Sequence, residues 1–156
     1  ASTELVDEIV AEALRHVDRR SWEHRITVET PEDLLLIKGD SKLIIQVIVN
    51  LVDNAIKYTP PGSEIRIRAQ AAGDRVTISV ADNGPGIPDD QKPKIFDMFY
   101  TANNERGDGR RGLGLGLSLC KSIVTAHGGT ISVSDNQPNG TVFTFTLPAG
   151  EVELHE

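Results

Sequence analysis

Cysteine is nearly absent from this 156-residue chain, which has Cys120 alone. An internal disulfide is therefore impossible, and a cysteine-based zinc site is excluded. Cys120 lies in a helical apolar pattern with Leu117, Ile123 and Val124, so we expect a buried, inert thiol. Such sparing use of cysteine is typical of a reducing compartment, and we expect a cytoplasmic domain.

Long apolar runs and an excess of positive charge are also lacking. Apolar residues make up 38% of the chain, and no run approaches the roughly 18 uncharged residues that a membrane helix needs. There is no signal-peptide pattern, so we expect a soluble domain without membrane contact of its own. The formal charge of −7 argues against nucleic-acid binding, which requires clustered Lys and Arg.

The pattern of apolar residues predicts one domain of the α/β class. Helical periodicity predicts helices at 4–17, about 41–58 with Asp40 as N-cap, 89–98 and about 115–127. Alternation or short apolar runs predict strands at 26–28, 34–37, 64–69, 75–81, 130–134 and 141–147. Strands that are neighbours in sequence should form hairpins, with the helices between them. We therefore expect a two-layer α/β sandwich with a mixed, mostly antiparallel sheet, about three helices on one face, and a mobile loop at 100–111.

The helix at 41–58 has a polar stripe beside its apolar face. This stripe consists of Gln46, Asn50, Asn54, Lys57 and Tyr58. Two carboxamides one turn apart offer oxygen ligands, and Mg²⁺ accepts one or two protein oxygens beside substrate phosphates. A solvated helix face is the alternative interpretation, and the helix alone does not decide between them.

Two glycine-rich segments add to this pattern. In DNGPGIP (82–88), a carboxylate at a strand end could accept a hydrogen bond from an exocyclic amine, and the glycines would let a flat ring approach the backbone. In GLGLGL (112–117), glycines at a helix start would present N–H groups and the positive end of the helix dipole to phosphates. Each segment alone could be an ordinary turn or helix start.

Together these segments resemble a known ATPase family. NLVDNAIKY (50–58) looks like its N box, DNGPGIP (82–88) its G1 box, KIFDMFY (94–100) its F box and GLGLGLS (112–118) its G2 box, with a weaker glycine box at Gly140-Thr141. This family comprises histidine kinases, Hsp90-type chaperones, type II topoisomerases and mismatch-repair ATPases, and the resemblance implies their Bergerat-type ATP-binding fold. The resemblance covers about residues 4 to 148 and implies ATP and Mg²⁺ as ligands.

The resemblance also implies roles for individual residues. Asp82 would bind the adenine amino group, Asn54 and Asn50 would hold Mg²⁺, Lys57 would lie near phosphate, and Tyr58 would pack beside the base. The other cofactor-binding positions fall in the glycine boxes: Gly84, Gly86, Ile87, Gly112, Gly114, Gly116, Leu117 and Thr141.

The ATP lid would span about 100–116. From its position at the end of this lid, Arg111, or Arg110 beside it, is a candidate counter-charge for the γ-phosphate, with a solvated loop arginine as the alternative. Leu113 departs from the family, which often has Thr or Ser there.

Asn50 bears on which reaction the resemblance implies. Hydrolysing relatives and anti-sigma serine kinases usually have a Glu general base four positions before the magnesium Asn, whereas a carboxamide cannot take up a proton. Histidine kinases typically have Asn there, and a neutral imidazole needs less help to attack phosphorus. We therefore expect transfer of the γ-phosphoryl group to a histidine. The chain also shows a fainter resemblance to potassium-responsive sensor kinases of the Kdp type.

The phosphoacceptor of such a kinase is a helical histidine followed by an acidic residue and then by Thr-Pro or Asn-Pro. None of His16, His24, His127 and His155 fits this pattern. The resemblance therefore implies that residues 1–156 form the catalytic domain alone and that the phosphoacceptor helical domain lies elsewhere. It also implies that this domain is monomeric and that a response regulator acts downstream. The alternatives are a stand-alone anti-sigma-type serine kinase or switch, and a nucleotide-holding scaffold with little turnover.

Overall fold

The computed structural model describes residues 2–17, 23–30, 35–97 and 112–150. In chain order, its elements are β1 (Ser2–Leu5), α1 (Val6–Arg15), β2 (Arg25–Glu29), β3 (Leu36–Gly39), α2 (Ser41–Lys57), β4 (Glu64–Ala72), β5 (Arg75–Asp82), a 3₁₀ turn (Lys92–Lys94), α3 (Gly112–Ala126), β6 (Ile131–Asp135) and β7 (Thr141–Pro148).

Within the described ranges, five strands form the main sheet in the order β2–β4–β5–β7–β6. The β4–β5 and β6–β7 pairs are the predicted hairpins, and β5 pairs antiparallel with β7. The prediction that neighbouring strands pair was wrong for β2 and β3, since β2 pairs with β4 and β3 pairs with β1. Among the described strands, only β2 and β4 run parallel. A parallel pair requires a long crossover connection, and α2 lies in it. The prediction of a mixed, mostly antiparallel sheet is confirmed.

Alternation along the central strands separates a core face from a polar face. Inward residues of β4, β5 and β7 are buried while their neighbours are more exposed, as a period of two requires. The three helices cover this inner face and contribute one apolar side each, including Ile9, Leu51 and Val124. The predicted α/β sandwich is therefore confirmed.

Helix α2 begins as the sequence predicts. The Oδ1 atom of Asp40 accepts hydrogen bonds from the backbone N–H groups of Lys42 (3.0 Å) and Leu43 (3.4 Å), satisfying donors that the first helical turn leaves unpaired. The last helix stops at the predicted glycines, since Gly128 has a φ of +80° and its N–H donates to the carbonyl of Thr125. No helix in the described residues is long and apolar enough to cross a membrane.

Three of the predicted helices differ from the observed ones. Residues 4 and 5 are not helical, because they pair with β3 in a two-stranded sheet. The helix predicted at 89–98 is only one 3₁₀ turn in the described part of that range, since Pro93 lacks a backbone N–H for a longer helix. Helix α3 begins at Gly112 rather than near residue 115, although glycine disfavours helix.

The two phenylalanines of KIFDMFY were predicted to be packed anchors. Phe96 lies edge-to-face with Phe143, with ring centroids 6.0 Å apart, which confirms its packing role. Phe99 and the predicted lid residues 100–111, with Arg110 and Arg111, lie outside the described residues.

Candidate functional site

Asp82, the last residue of β5, places a buried carboxylate on the inner face of the sheet. Asp82 continues the inward alternation of β5 and is 7% exposed. Its Oδ1 atom accepts hydrogen bonds from the backbone N–H groups of Gly84 (2.9 Å) and Thr141 (3.3 Å). No described residue donates to Oδ2. Asp82 therefore has one oxygen held by the protein and one available to a ligand.

Burial raises the pKa of Asp82 above its ordinary value, and the two backbone hydrogen bonds oppose this shift only in part. The cause is that a partly desolvated carboxylate loses hydration that Gly84 and Thr141 do not fully replace. A ligand that donates to Oδ2 would supply the missing stabilisation. The electrostatics of the site thus favour a hydrogen-bond donor at this position.

The turn after Asp82 packs closely against the segment that follows α2 and against the β6–β7 loop. A Cβ on Gly84 would lie 2.5 Å from Cγ2 of Thr59, and a Cβ on Gly140 would lie 2.0 Å from the carbonyl oxygen of Asp82. Gly86 and Gly140 have φ values of +84° and +117°, which favour glycine. Glycine at 84 is therefore required by protein packing, whatever role it has toward a ligand.

Two asparagines that sequence reasoning missed hold the backbone of this turn. Nδ2 of Asn136 donates to the carbonyl of Asp82 (2.7 Å). Nδ2 of Asn139 donates to the carbonyls of Asn83 (2.7 Å) and Gly84 (3.0 Å). The sequence did not indicate these contacts, because Asn is common in turns, where its side chain often bonds to the nearby backbone.

Lys92 was missed as well. Its Nζ donates to the carbonyl of Ile87 (3.0 Å) and pairs with Asp89 and with Asp135 (2.9 Å). The hydrogen bonds to both carboxylates raise the pKa of Lys92, and the bond from Lys92 lowers that of Asp89. This lysine joins the end of the 82–88 turn to β6.

Helices α2 and α3 pack against each other in opposite directions. The backbone N–H of Asp40 donates to Nε2 of His127 (3.0 Å), the Cys120 thiol contacts the carbonyl of Val47 (3.7 Å), and Nδ2 of Asn50 donates to the carbonyl of Gly116 (3.4 Å). The first step moves about two turns up α2 and two turns down α3, and the second step moves about one turn along each helix. One further turn brings Asn54 level with the first turn of α3.

The two carboxamides on α2 differ in their surroundings. Oδ1 of Asn50 already accepts a hydrogen bond from Nε2 of Gln46 (3.0 Å). Asn54 is 7% exposed, and its side chain makes no hydrogen bond to any described residue. No described donor contacts the Asn54 oxygen, whereas the Asn50 oxygen accepts from Gln46, so the Asn54 oxygen fits a metal ligand better.

Other predicted positions lie around these groups. Lys57 is exposed on the last turn of α2, Tyr58 and Ile87 are half-buried, and Leu117 and Thr141 are buried. Gly112, Gly114 and Gly116 lie in the first two turns of α3. No cluster of three or more His, Cys, Asp or Glu side chains that could hold a metal ion occurs in the described ranges.

Thr59 links the two parts of the arrangement. Its hydroxyl donates to the carbonyl of Ala55 in α2 (2.7 Å), while its methyl group lies against Gly84. The end of α2 is thereby fixed against the turn that carries Asp82. The structure thus joins Asp82 and Thr141 to the end of α2, and Asn50 to the start of α3.

Burial raises the pKa of the Cys120 thiol to about 12. The thiolate is the reactive form, so Cys120 should resist iodoacetamide in the folded protein at pH 8. Complete alkylation is expected only after unfolding in guanidinium chloride, as measured by intact mass. Rapid modification of the folded domain would contradict the predicted inert thiol.

Comparison with known proteins assigns the chain to a family. Residues 39–151 match the family described as histidine kinase-, DNA gyrase B- and HSP90-like ATPases. The sensor protein KdpD of Clostridium acetobutylicum is 44% identical over 145 residues, 93% of this chain and 16% of KdpD. This similarity confirms the resemblance to Kdp-type kinases, and the chain spans about a sixth of that protein's length.

Solved structures agree with this assignment. The mycobacterial sensor histidine kinase MprB superimposes with a TM-score of 0.83 at 29% identity, over 95% of this chain and 98% of that one. The catalytic domain of the histidine kinase ThkA gives 0.81 at 32% identity, over 94% and 95%. The chain therefore belongs to the histidine kinase-, DNA gyrase B- and HSP90-like ATPases and is a histidine-kinase catalytic domain.

Proposed function

We propose that this domain binds Mg²⁺-ATP and transfers the γ-phosphoryl group to a histidine on a separate helical domain of a two-component sensor kinase. The observation that carries the proposal is the buried carboxylate of Asp82, whose Oδ2 atom has no donor among the described residues. The family assignment supplies ATP binding in general. The residues and the acceptor are our proposal.

Asp82 would recognise adenine through its 6-amino group. An ionised carboxylate accepts hydrogen bonds and cannot donate them, so Oδ2 suits an amine. A 6-oxo purine would place a carbonyl oxygen against the same atom, and two acceptors repel. The site should therefore prefer ATP to GTP. Gly86, Ile87, Tyr58 and Thr141 are proposed to surround the base.

The phosphates would lie between α2 and the start of α3. Gly112, Gly114 and Gly116 would offer backbone N–H groups at a helix N-terminus, with Lys57 and Arg111 as nearby cations. Asn54 would hold Mg²⁺ through its oxygen, with Asn50 beside it. When bound, the ion neutralises phosphate charge during transfer.

The chain's own residues also limit which acceptor is suitable. Asn50 is hydrogen-bonded to Gln46 and Gly116 and cannot act as a general base. An acceptor that already has a lone pair, such as neutral imidazole, does not require one, whereas a serine hydroxyl does. This favours histidine over the serine acceptor of an anti-sigma-type kinase.

The test combines this domain with a phosphoacceptor helical domain of a Kdp-type sensor kinase and γ-labelled ATP. We expect label that is stable in alkali and lost in acid, as phosphohistidine is, and no label after the acceptor histidine is changed to Gln. Acid-stable label on serine would favour the anti-sigma alternative. Binding of ATP with no transfer to any acceptor tested would favour the scaffold alternative.

The wider context is also a proposal. One ThkA structure is a complex of that kinase with the response regulator protein TrrA. By analogy, we propose that a response regulator receives the phosphoryl group downstream, that this domain acts in the cytoplasm, and that it is monomeric by itself.

A further inference from the structure

His24 contacts the end of α2 although it lies far from it in sequence. Its Nε2 atom is 2.8 Å from Oγ1 of Thr59. The residues on either side are bound to the following loop, since the carbonyl of Glu23 accepts from the N–H of Gly62 (2.6 Å) and the N–H of Arg25 donates to the carbonyl of Ser63 (3.0 Å). Two backbone hydrogen bonds therefore hold the imidazole in place beside Thr59.

The hydrogen bonds at Thr59 can be assigned a direction. The hydroxyl has one proton, and it donates that proton to the carbonyl of Ala55 at 2.7 Å. The same oxygen must then accept from His24, so Nε2 of His24 is the donor. In this arrangement the side-chain oxygen of Thr59 is fixed from two sides.

The other ring nitrogen of His24 is in an unfavourable position. Nδ1 is buried and has no hydrogen-bond partner in the part of the chain that the structure describes. A buried polar atom without a partner destabilises the fold, and an apolar side chain of similar size would avoid that loss. The cost of the unpartnered Nδ1 offsets what the hydrogen bond to Thr59 contributes to stability, so the placement of Thr59 accounts for histidine here better than stability does.

Fixing the Thr59 oxygen also fixes its methyl group, because both are bonded to the same Cβ atom. The methyl lies against Gly84, where even a Cβ would come within 2.5 Å of it. The N–H of Gly84 donates to Oδ1 of Asp82. Rotation of Thr59 about χ1 would remove the contact behind Gly84 and loosen the turn that orients the Asp82 carboxylate.

We infer that His24 is a positioning residue for adenine recognition: through Thr59 and Gly84 it sets the orientation of Asp82 without touching the nucleotide. The inference rests on the proposed function, because it assigns a purpose to the orientation of Asp82. It predicts that ATP affinity depends on a histidine that lies outside every glycine box.

The experiment measures ATP affinity by calorimetry for His24→Leu, His24→Gln, Thr59→Val and the double variant His24→Leu/Thr59→Val. We expect His24→Leu and Thr59→Val each to weaken ATP binding by roughly 3–10-fold, because each removes the hydrogen bond between the two side chains. His24→Gln keeps an amide donor and should recover most of the affinity. The double variant should bind like the weaker single variant, because both act through one contact.

His16→Leu is the matched control, since His16 is exposed and pairs only with Glu12 among the contacts described, and it should bind ATP normally. Affinities are compared well below each variant's Tm, so that loss of folded protein does not contribute. If His24→Leu does not fold, Thr59→Val alone decides, because valine retains the shape of threonine and loses only the hydroxyl that His24 and Ala55 contact.

Unchanged affinity in the folded variants, or losses that multiply in the double variant, would overturn the inference. A wild-type domain that does not bind ATP would instead overturn the proposed function. The two failures are therefore distinguishable in the same series of measurements.

Discussion

Replacing Asp82 by Asn is expected to weaken ATP binding by roughly 10–100-fold, the loss of one hydrogen bond to a charged group. Asparagine can keep Oδ1 as the acceptor for Gly84 and Thr141. It places an NH₂ group where Oδ2 was, opposite the 6-amino group of adenine, so two donors meet. Calorimetry with ATP measures the loss, and unchanged affinity would show that Asp82 does not bind the base.

The same substitution should leave the empty domain at least as stable as the wild type. Burial raises the pKa of Asp82, which means that its negative charge is less favourable in the folded protein than in the unfolded chain. Asparagine removes that charge and keeps the shape. Thermal unfolding without nucleotide tests this expectation, with Asp74→Asn in the exposed β4–β5 turn as the matched control.

The raised pKa of Asp82 also fixes the sign of a pH dependence. A carboxyl group whose pKa is higher in the folded state takes up its proton more readily there, so its contribution to stability rises as pH falls. The wild type should therefore have a lower free energy of unfolding than Asp82→Asn. This difference should be largest at a pH above the raised pKa and should vanish below the ordinary pKa of 3.8. ATP affinity should change in the opposite direction, since a protonated carboxyl no longer offers two acceptors.

The fold could be predicted well from local patterns. The hairpins β4–β5 and β6–β7 follow from alternation on either side of a short turn, and the Asp40 cap follows from side-chain chemistry. The parallel pairing of β2 with β4 could not be derived, because the two strands are separated by α2. The short strand β1 was missed for a related reason: its partner β3 lies some 30 residues away, and Leu5 also suits a helix.

The residues of the candidate site could be predicted where they belong to a contiguous sequence motif. Asp82 and Thr141 were both singled out, and the structure adds that the backbone of Thr141 donates to Asp82. The groups that hold the site in place were not predictable. Asn136, Asn139 and Lys92 act through backbone carbonyls, and a contact with a carbonyl depends on the fold and leaves no pattern in the chain.

Sequence reasoning assigned both Asn54 and Asn50 to Mg²⁺, whereas the environments of the two side chains differ. Asn50 joins α2 to α3 through Gly116, while the Asn54 side chain has no described hydrogen-bond partner. The difference arises from the antiparallel packing of the two helices, which brings each position of α2 to a different level of α3. Helical spacing alone places both side chains on one stripe and cannot separate them.

Asn54→Ala is accordingly expected to lower phosphotransfer to the acceptor histidine by roughly 10²–10³-fold, the effect of removing one group that stabilises developing charge. ATP affinity without Mg²⁺ should change little, because adenine is bound by Asp82 at the other end of the site. In the wild type, Mg²⁺ should strengthen ATP binding and EDTA should abolish phosphotransfer. In Asn54→Ala, ATP affinity should respond only weakly to Mg²⁺ or to EDTA.

The decisive measurement is the ratio of ATP affinities with and without Mg²⁺, taken for the wild type, for Asn54→Ala and for Gln70→Ala, an exposed position on β4. A folding defect would lower both affinities together and leave their ratio unchanged, whereas a lost metal ligand lowers the ratio alone. Asn54→Ala with the wild-type ratio and full transfer would mean that the unpartnered carboxamide on α2 holds no metal.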